Sequence, residues 1–308
     1  MIVKTPSRIH MTLIDMNASL GRMDGGMGLA LEEPCIKISA KKADEVTAEG
    51  PLKERAEDAA RKVFKALGFG GGVKIDVLNA YSQHAGLGSG TQVGLAAGMA
   101  VCKLYKEDVS LKELAKIIGR GGTSGIGVAA FESGGFILDG GHSLGEKADF
   151  LPSSASKASP PPVLARYDFP DWKIAIVMPK VEKVFADARE IDIFQKFCPI
   201  PIGQVERLSR LILMKILPSI VEEDIETFGK GINEIQKIGF KGIEVALQTP
   251  EVGALMGVCR EYSYGAGLSS FGPAIYCIIK DEKGLKSALK DRAEITITKA
   301  NNKGATIN

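Results

Sequence analysis

HAGLGSGTQVGLAAG, residues His84–Gly98, sets three glycines two residues apart, adds a serine and a threonine, and continues into small apolar residues. A chain of this kind wraps a loop and then enters a helix. Gly86, Gly88 and Gly90 permit positive φ and let a ligand approach the backbone. Ser89 or Thr91 can cap the helix, whose first amides and dipole make an anion seat. A tight strand–helix connection would use the same residues, so the loop alone leaves both readings open. No lysine follows Gly90, which removes the GxxxxGK[ST] phosphate loop. Gly125–Ala130 fits the loosest dinucleotide pattern, but a helical pattern precedes it where that motif needs a strand.

Working outward, residues 2–14 and 28–40 read as extended segments on either side of a glycine-rich turn. Leu52, Ala56, Ala59, Val63 and Leu67 share one face of a helix that Pro51 opens and Gly68 to Gly72 close. Val73, Ile75 and Val77 alternate as a half-buried strand. A helix is predicted over 110–119, then a second glycine-rich run and the strand GFILDGG. Residues 152–170 are rich in serine and proline and read as an exposed connection, which divides the chain into domains 1–165 and 166–308. In the second, Trp172–Met178 reads as a strand. Ile225, Phe228, Ile232 and Ile235 share a helix face, which Pro218 separates from the helix before it. A loop YGAGLSSFGP, a strand AIYCII, a helix near Lys283–Leu289 and a last strand follow. The mixture is α+β.

With 45% hydrophobic and 25% charged residues and a net charge of +2 in 308 residues, the composition is that of an ordinary globular chain without a nucleic-acid footprint. No apolar run reaches a membrane span, and no signal peptide is visible at the start. The five cysteines are scattered and unpaired in sequence, which argues against a disulfide framework or zinc site and for a reducing cytoplasm.

Pro6-Ser7-Arg8 near the start, Gly86–Gly90 and the glycine/serine run Tyr264–Pro273 fall in the order of the three motifs of the GHMP kinase superfamily, which the chain resembles. The resemblance implies a two-domain α+β fold: an N-terminal ribosomal-protein-like α/β domain, a C-terminal ferredoxin-like α+β domain, and an active site in the interdomain cleft. Many kinases of the superfamily carry an aspartate in the central motif. Here that motif reads Thr123-Ser124-Gly125-Ile126-Gly127, and glycine can neither accept a proton nor orient a hydroxyl. TPSRIHMTLIDMN (5–17), GRMDGGMGLALEEP (21–34), HAGLGSGTQ (84–92) and GGTSGIGVAAFESGGFILDGGHS (121–143) are similar instead to archaeal synthases of methanopterin biosynthesis. That similarity implies condensation of phosphoribosyl pyrophosphate with 4-aminobenzoate, losing carbon dioxide and pyrophosphate and joining ribose to the ring through carbon. It also implies Mg²⁺ on the pyrophosphate, no organic cofactor, and a homodimer. An ATP-dependent small-molecule kinase and a non-catalytic sugar-phosphate sensor remain the alternatives.

For the site, Arg8, Asp15, Arg22 and Asp24 lie within 17 positions. An arginine suits a carboxylate or phosphate, and an aspartate suits a cationic ribose or magnesium. Asp15, Arg22 and Asp24 are taken as catalytic candidates. Arg8, His84, Gly86, Leu87, Gly88, Ser89, Gly90, Thr91, Gly265, Gly267 and Ser269 are taken as substrate-binding candidates. His10, amid alternating strand residues, reads as a packed side chain. Asp139 and His142 fit a turn slightly better than the cleft, and the methionines fit packing.

Overall fold

The computed structural model describes residues 1–153, 155–180 and 187–308. The chain begins with a hairpin of two long strands, β1 (Ile2–Asp15) and β2 (Arg22–Ala43). There follow β3 (Thr47–Glu49), α1 (Lys53–Leu67), β4 (Gly72–Asn79), α2 (Ser89–Tyr105), α3 (Leu111–Ile117) and α4 (Ile126–Glu132). β5 (Phe136–Asp139), β6 (His142–Ser143) and β7 (Val163–Tyr167) complete the first half. The second half runs β8 (Ile174–Pro179), α5 (Asp187–Phe197), α6 (Ile202–Leu211), a π-helical turn (Ile212–Ile216), α7 (Leu217–Val221), α8 (Ile225–Ile235), α9 (Gly239–Ala246) and α10 (Pro250–Glu261). It closes with β9 (Ser263–Leu268), β10 (Ile275–Ile279), α11 (Glu282–Leu289), β11 (Ala293–Thr298) and β12 (Thr306–Ile307).

The first sheet has the order β12-β1-β2-β4-β3. Besides β1, the long β2 pairs with β4 along its second half, with β5 along its first and with β6 at its start, while β7 extends the sheet beyond β5. The second sheet is antiparallel, β11-β8-β10-β9. The changeover between sheets therefore falls between Tyr167 and Ile174, a few residues past the boundary read from sequence. The end of the chain recrosses it, because β12 pairs with β1. An apolar core joins the halves, with Ile9, Met11 and Leu29 of the hairpin packed in one cluster with Ile174, Phe228 and Ile232.

Two helices explain how the glycine loop is held. α1 buries Ala56, Ala59, Ala60, Val63 and Phe64 and stops at Gly68, which adopts φ 68°. α2 is buried on nearly every face because its residues are small. A Cβ at Gly98 would stand 2.8 Å from Leu114 Cδ1, so the glycine admits α3.

Two expectations differ from the fold. Pro218 does not divide two helices: it sits in the first turn of α7, continuous through the π turn with α6, and the break comes at Glu222–Asp224. Proline lacks only its own N–H, which a locally widened turn accommodates. The run Tyr264–Pro273 is also not all loop. Its first half is β9, where the glycines serve close packing: a Cβ at Gly265 would lie 2.3 Å from the Gly229 carbonyl oxygen.

Candidate active site

β1, the glycine loop and the turn after β9 meet at one point. The Gly86 carbonyl accepts from the Arg8 guanidinium and, at 2.7 Å, from the Ser269 hydroxyl. The Arg8 amide donates to the Leu87 carbonyl at 3.1 Å, and the Ser270 amide donates to the His10 carbonyl at 2.9 Å. Gly86 has φ 80°, and a Cβ there would stand 2.2 Å from the Ser269 carbonyl oxygen. Only glycine fits this crossing, since both the conformation and the contact exclude a side chain.

From this knot the chain enters α2 through Gly88, at φ 81°. The first intrahelical bonds run from the Thr91 and Gln92 amides to the Gly88 carbonyl, so the Ser89 and Gly90 amides stand ahead of them at the helix start. Two arginines reach the same place. A Cβ at Gly90 would lie 3.1 Å from Nη1 of Arg55 and 3.5 Å from Nη2 of Arg120. Arg55 comes from the start of α1 and is steadied by the Gln83 side-chain oxygen at 3.2 Å; Arg120 follows α3. Two guanidiniums, the helix dipole and adjacent amides together favour a multiply charged anion.

A cleft of about 200 Å³ opens over this seat. The seat and residues of the 120–127 turn line it, as do Leu13, Phe194, Glu244, Ser270 and Phe271, together with His10, His84 and Glu190. The cleft thus joins an anion seat, an apolar and aromatic wall, and two carboxylates. Lys241 is buried beneath Glu244, with which it forms an ion pair, and donates to the carbonyls of Leu268 (3.2 Å) and Ser270 (3.1 Å). Burial lowers its pKa, against the raising effect of Glu244. Arg8 is likewise lowered by burial.

Behind the cleft wall is a buried polar network. Asp24, at φ 68°, accepts from Lys147 at 2.8 Å and pairs with His142 Nδ1 at 2.7 Å. Lys147 also donates to the Thr123 hydroxyl at 3.2 Å. Asp139 accepts from the Gly125 amide (2.9 Å), the Gly141 amide (3.1 Å) and the Ser124 hydroxyl (3.3 Å). Burial pushes the Asp139 carboxyl up to about 6 against these bonds. The network sets the backbone of Thr123–Gly127, which faces the cleft.

The cleft accordingly gathers Arg8, His84, Gly86, Gly88, Ser89, Gly90 and Thr91 from the sequence candidates. Leu87 is buried beneath the loop, and Ser269 is a buried brace. Gly265 and Gly267 lie inside β9, not in the cleft lining; a Cβ at Gly267 would meet the Tyr276 hydroxyl at 2.6 Å. Asp15, Arg22 and Asp24 also stand outside the lining. Asp15 accepts from the Asn17 and Ala18 amides at 2.9 and 3.0 Å, a turn-forming pattern. Arg22 donates to the Gly140 and Gly141 carbonyls at 3.0 and 2.7 Å. Sequence reasoning missed Arg55, Arg120, Glu190, Phe194, Glu244 and Phe271. The dipeptide Gly119-Arg120 beside the second glycine run carried a signal for one arginine; Arg55, inside a charged helix face, carried none.

Residues 54–135 match the family described as GHMP kinases N terminal domain, and residues 216–294 match GHMP kinases C terminal. The chain is 47% identical to the beta-ribofuranosylphenol 5'-phosphate synthase of Methanothermobacter thermautotrophicus, covering 99% of this chain and 98% of that relative. The protein of the same name from Methanocaldococcus jannaschii is 46% identical over 100% of both chains. Among solved structures, the mevalonate kinase of Methanococcus jannaschii superposes with a TM-score of 0.71 at 15% identity, covering 98% of each chain, a likeness of fold alone.

Proposed function

The chain belongs to the GHMP kinase family, and we propose that its cleft transfers a phosphoribosyl group to a ring carbon of a para-substituted benzoate, making it a pentosyltransferase. The donor is phosphoribosyl pyrophosphate; carbon dioxide and pyrophosphate leave. The observation that carries this reading is the full-length similarity, 46–47%, to archaeal synthases named for a ribofuranosylphenol 5'-phosphate. The cleft supports it chemically. Gly127 lines it without a carboxylate, and a Cβ there would meet Thr91 Cγ2 at 3.2 Å, so the position has little room for one. A kinase needs a hydroxyl oriented or deprotonated; carbon–carbon bond formation at an aromatic ring does not.

The residues divide the work. The α2 start, Arg55 and Arg120 hold phosphate oxygens and favour departure of the pyrophosphate as its charge grows. Glu190 and Glu244 place negative charge beside the ribose, which becomes cationic as the bond to pyrophosphate breaks. Leu13, Phe194 and Phe271 offer a surface for an aromatic ring. Among the described residues no group of three or more His, Cys, Asp or Glu forms a metal cage. The donors in the cleft therefore fit a magnesium ion carried chiefly by the pyrophosphate, with Glu190 and the Ser124 and Thr91 hydroxyls as protein-side candidates. When bound, such an ion neutralises charge on the leaving group.

A product named as a phenol carries a ring hydroxyl, which corresponds to 4-hydroxybenzoate as acceptor; the sequence reading named 4-aminobenzoate. The test supplies each, labelled in the carboxyl carbon, with phosphoribosyl pyrophosphate and magnesium, and follows labelled carbon dioxide. Release that depends on the donor, faster with 4-hydroxybenzoate, is expected. ADP formation from ATP and a sugar or alcohol, without carbon dioxide from either benzoate, would return the chain to the kinases.

A further inference from the structure

Lys241 places a charge where no water reaches it. It is the third residue of α9, its side chain is fully buried, and Glu244 pairs with it from one turn along the same helix, itself 2% exposed. An ammonium carries three N–H groups. Three acceptors surround this one: the Glu244 carboxylate, the Leu268 carbonyl at 3.2 Å and the Ser270 carbonyl at 3.1 Å. Desolvating two charges costs more than burying an apolar pair of the same size, so packing alone does not select them. The ammonium supplies what a methylene chain cannot, a grip on two carbonyls at the turn after β9. Gln248, just past α9, adds a bond from its side-chain amide to the Phe271 carbonyl at 3.2 Å.

The turn held this way is the one that braces the glycine loop. Its Ser269 hydroxyl donates to the Gly86 carbonyl at 2.7 Å and accepts from the His10 amide at 3.1 Å. The Ala274 amide donates to the Ala85 carbonyl at 3.3 Å. Ser269 is fully buried, so its hydroxyl acts on main chain and not on a ligand. The Gly86 carbonyl fixes the plane of the peptide that leads into Leu87, whose own carbonyl accepts from the Arg8 amide and the Tyr81 hydroxyl, both at 3.1 Å. Gly88 follows, and then the Ser89 and Gly90 amides at the helix start. A continuous line of bonds thus runs from α9, in the second half of the chain, to the anion seat in the first.

We propose that Lys241 is a positioning residue for the phosphate-bearing donor. From inside α9 it locks the turn, the turn fixes Gly86, and the α2 amides are aimed at phosphate oxygens before the donor arrives. Hydrogen bonds weaken steeply as they bend, and a seat that must be ordered on binding loses part of its affinity to that ordering. Lys241 does not touch the donor, which its burial forbids. The proposal rests on reading the α2 start as the donor's seat.

Inorganic pyrophosphate with magnesium is the probe, and its affinity is measured by calorimetry. Glu244→Gln is the reference chain: glutamine still offers Lys241 an acceptor, and with the carboxylate gone a further Lys241→Met leaves no buried charge unpaired. To this reference are added Lys241→Met, Ser269→Ala, or both, with urea titration recording the stability of each. Expected is a loss of roughly 10-fold in pyrophosphate affinity for either addition. Both together should lose no more than about 20-fold, because the two cut one line. A role in packing alone would lower the unfolding midpoint and leave the affinity of the folded chain where it was. That result overturns the proposal, as do losses that multiply to about 100-fold. Should Lys241→Met not fold, Ser269→Ala decides by itself: a loss of affinity supports the line, and unchanged affinity breaks it. Wild type that binds no pyrophosphate removes the seat and the proposal together. The binding readout does not pass through carbon dioxide release, so the phosphoribosyl-transfer reading stands or falls separately.

Discussion

The turn end of the β1–β2 hairpin and the start of α2 both concentrate functional-looking residues, and they use them differently. At the hairpin, Asp15, Arg22 and Asp24 lie close in sequence, and their side chains are committed to amides, carbonyls and a buried lysine of the protein itself. At α2 the sequence offers glycines and hydroxyls but no charge, and the charge arrives from α1 and from the residue run after α3. Asp15 is drawn into its own turn, because a short polar side chain reaches nearby backbone first, while Arg22 and Asp24 are taken up by the 140–147 segment, far along the chain. A ligand seat instead collects charge from several elements. The difference yields an ordered set of tests.

Removing both seat arginines, Arg55→Ala with Arg120→Ala, gives the largest expected effect. Each charge-assisted contact is worth about 1.5–3 kcal/mol, so kcat/KM for phosphoribosyl pyrophosphate should fall by more than 100-fold while the unfolding midpoint moves little. A double variant with near-normal donor kinetics would empty the seat of its role. Gly86→Ala comes next and attacks the knot instead. The left-handed φ and the 2.2 Å approach to Ser269 predict a loss of about 2–4 kcal/mol in unfolding free energy, measured by urea titration, together with a raised KM for the donor.

Arg22→Ala sharpens the contrast. Two bonds to the Gly140–Gly141 turn are lost, and turnover should drop roughly 10-fold with the fold intact, on the scale of one or two hydrogen bonds. A drop matching that of the arginine pair would bring the hairpin into the reacting site and erase the distinction.

The smallest effect concerns pH. Burial pushes the Asp139 carboxyl up to about 6 in the folded chain, from the 3.8 of an ordinary aspartate, so the folded state holds the extra proton between those values. Its contribution to stability is therefore fully present below about pH 4, declines as pH rises to about 6, and is level above. Asp139→Asn removes this dependence. The stability of the variant relative to wild type should improve by about 1–3 kcal/mol between pH 4 and 6. A relative stability flat across that window contradicts the assignment.

Much of the fold could be read from periodicity. α1, α8, β4 and β10 carry strong apolar patterns, and the structure places each within a few residues of its expected bounds. Pro218 misled because its effect depends on where in a helical turn it falls, and Gly265 misled because strand packing and loop conformation both select glycine. The loop His84–Thr91 was legible as a glycine turn running into a helix start, since backbone conformation is encoded locally. Arg55, Glu244 and Phe271 were not, because they come together only when α1, α9 and the turn after β9 pack around the cleft.

The most direct measurement of the central claim counts carbon dioxide and pyrophosphate together in one reaction of the wild-type protein with phosphoribosyl pyrophosphate and carboxyl-labelled 4-hydroxybenzoate. Transfer to the ring carbon predicts equal amounts of the two throughout the time course. Pyrophosphate released without carbon dioxide, or neither product while ATP is turned over with an alcohol, would contradict it.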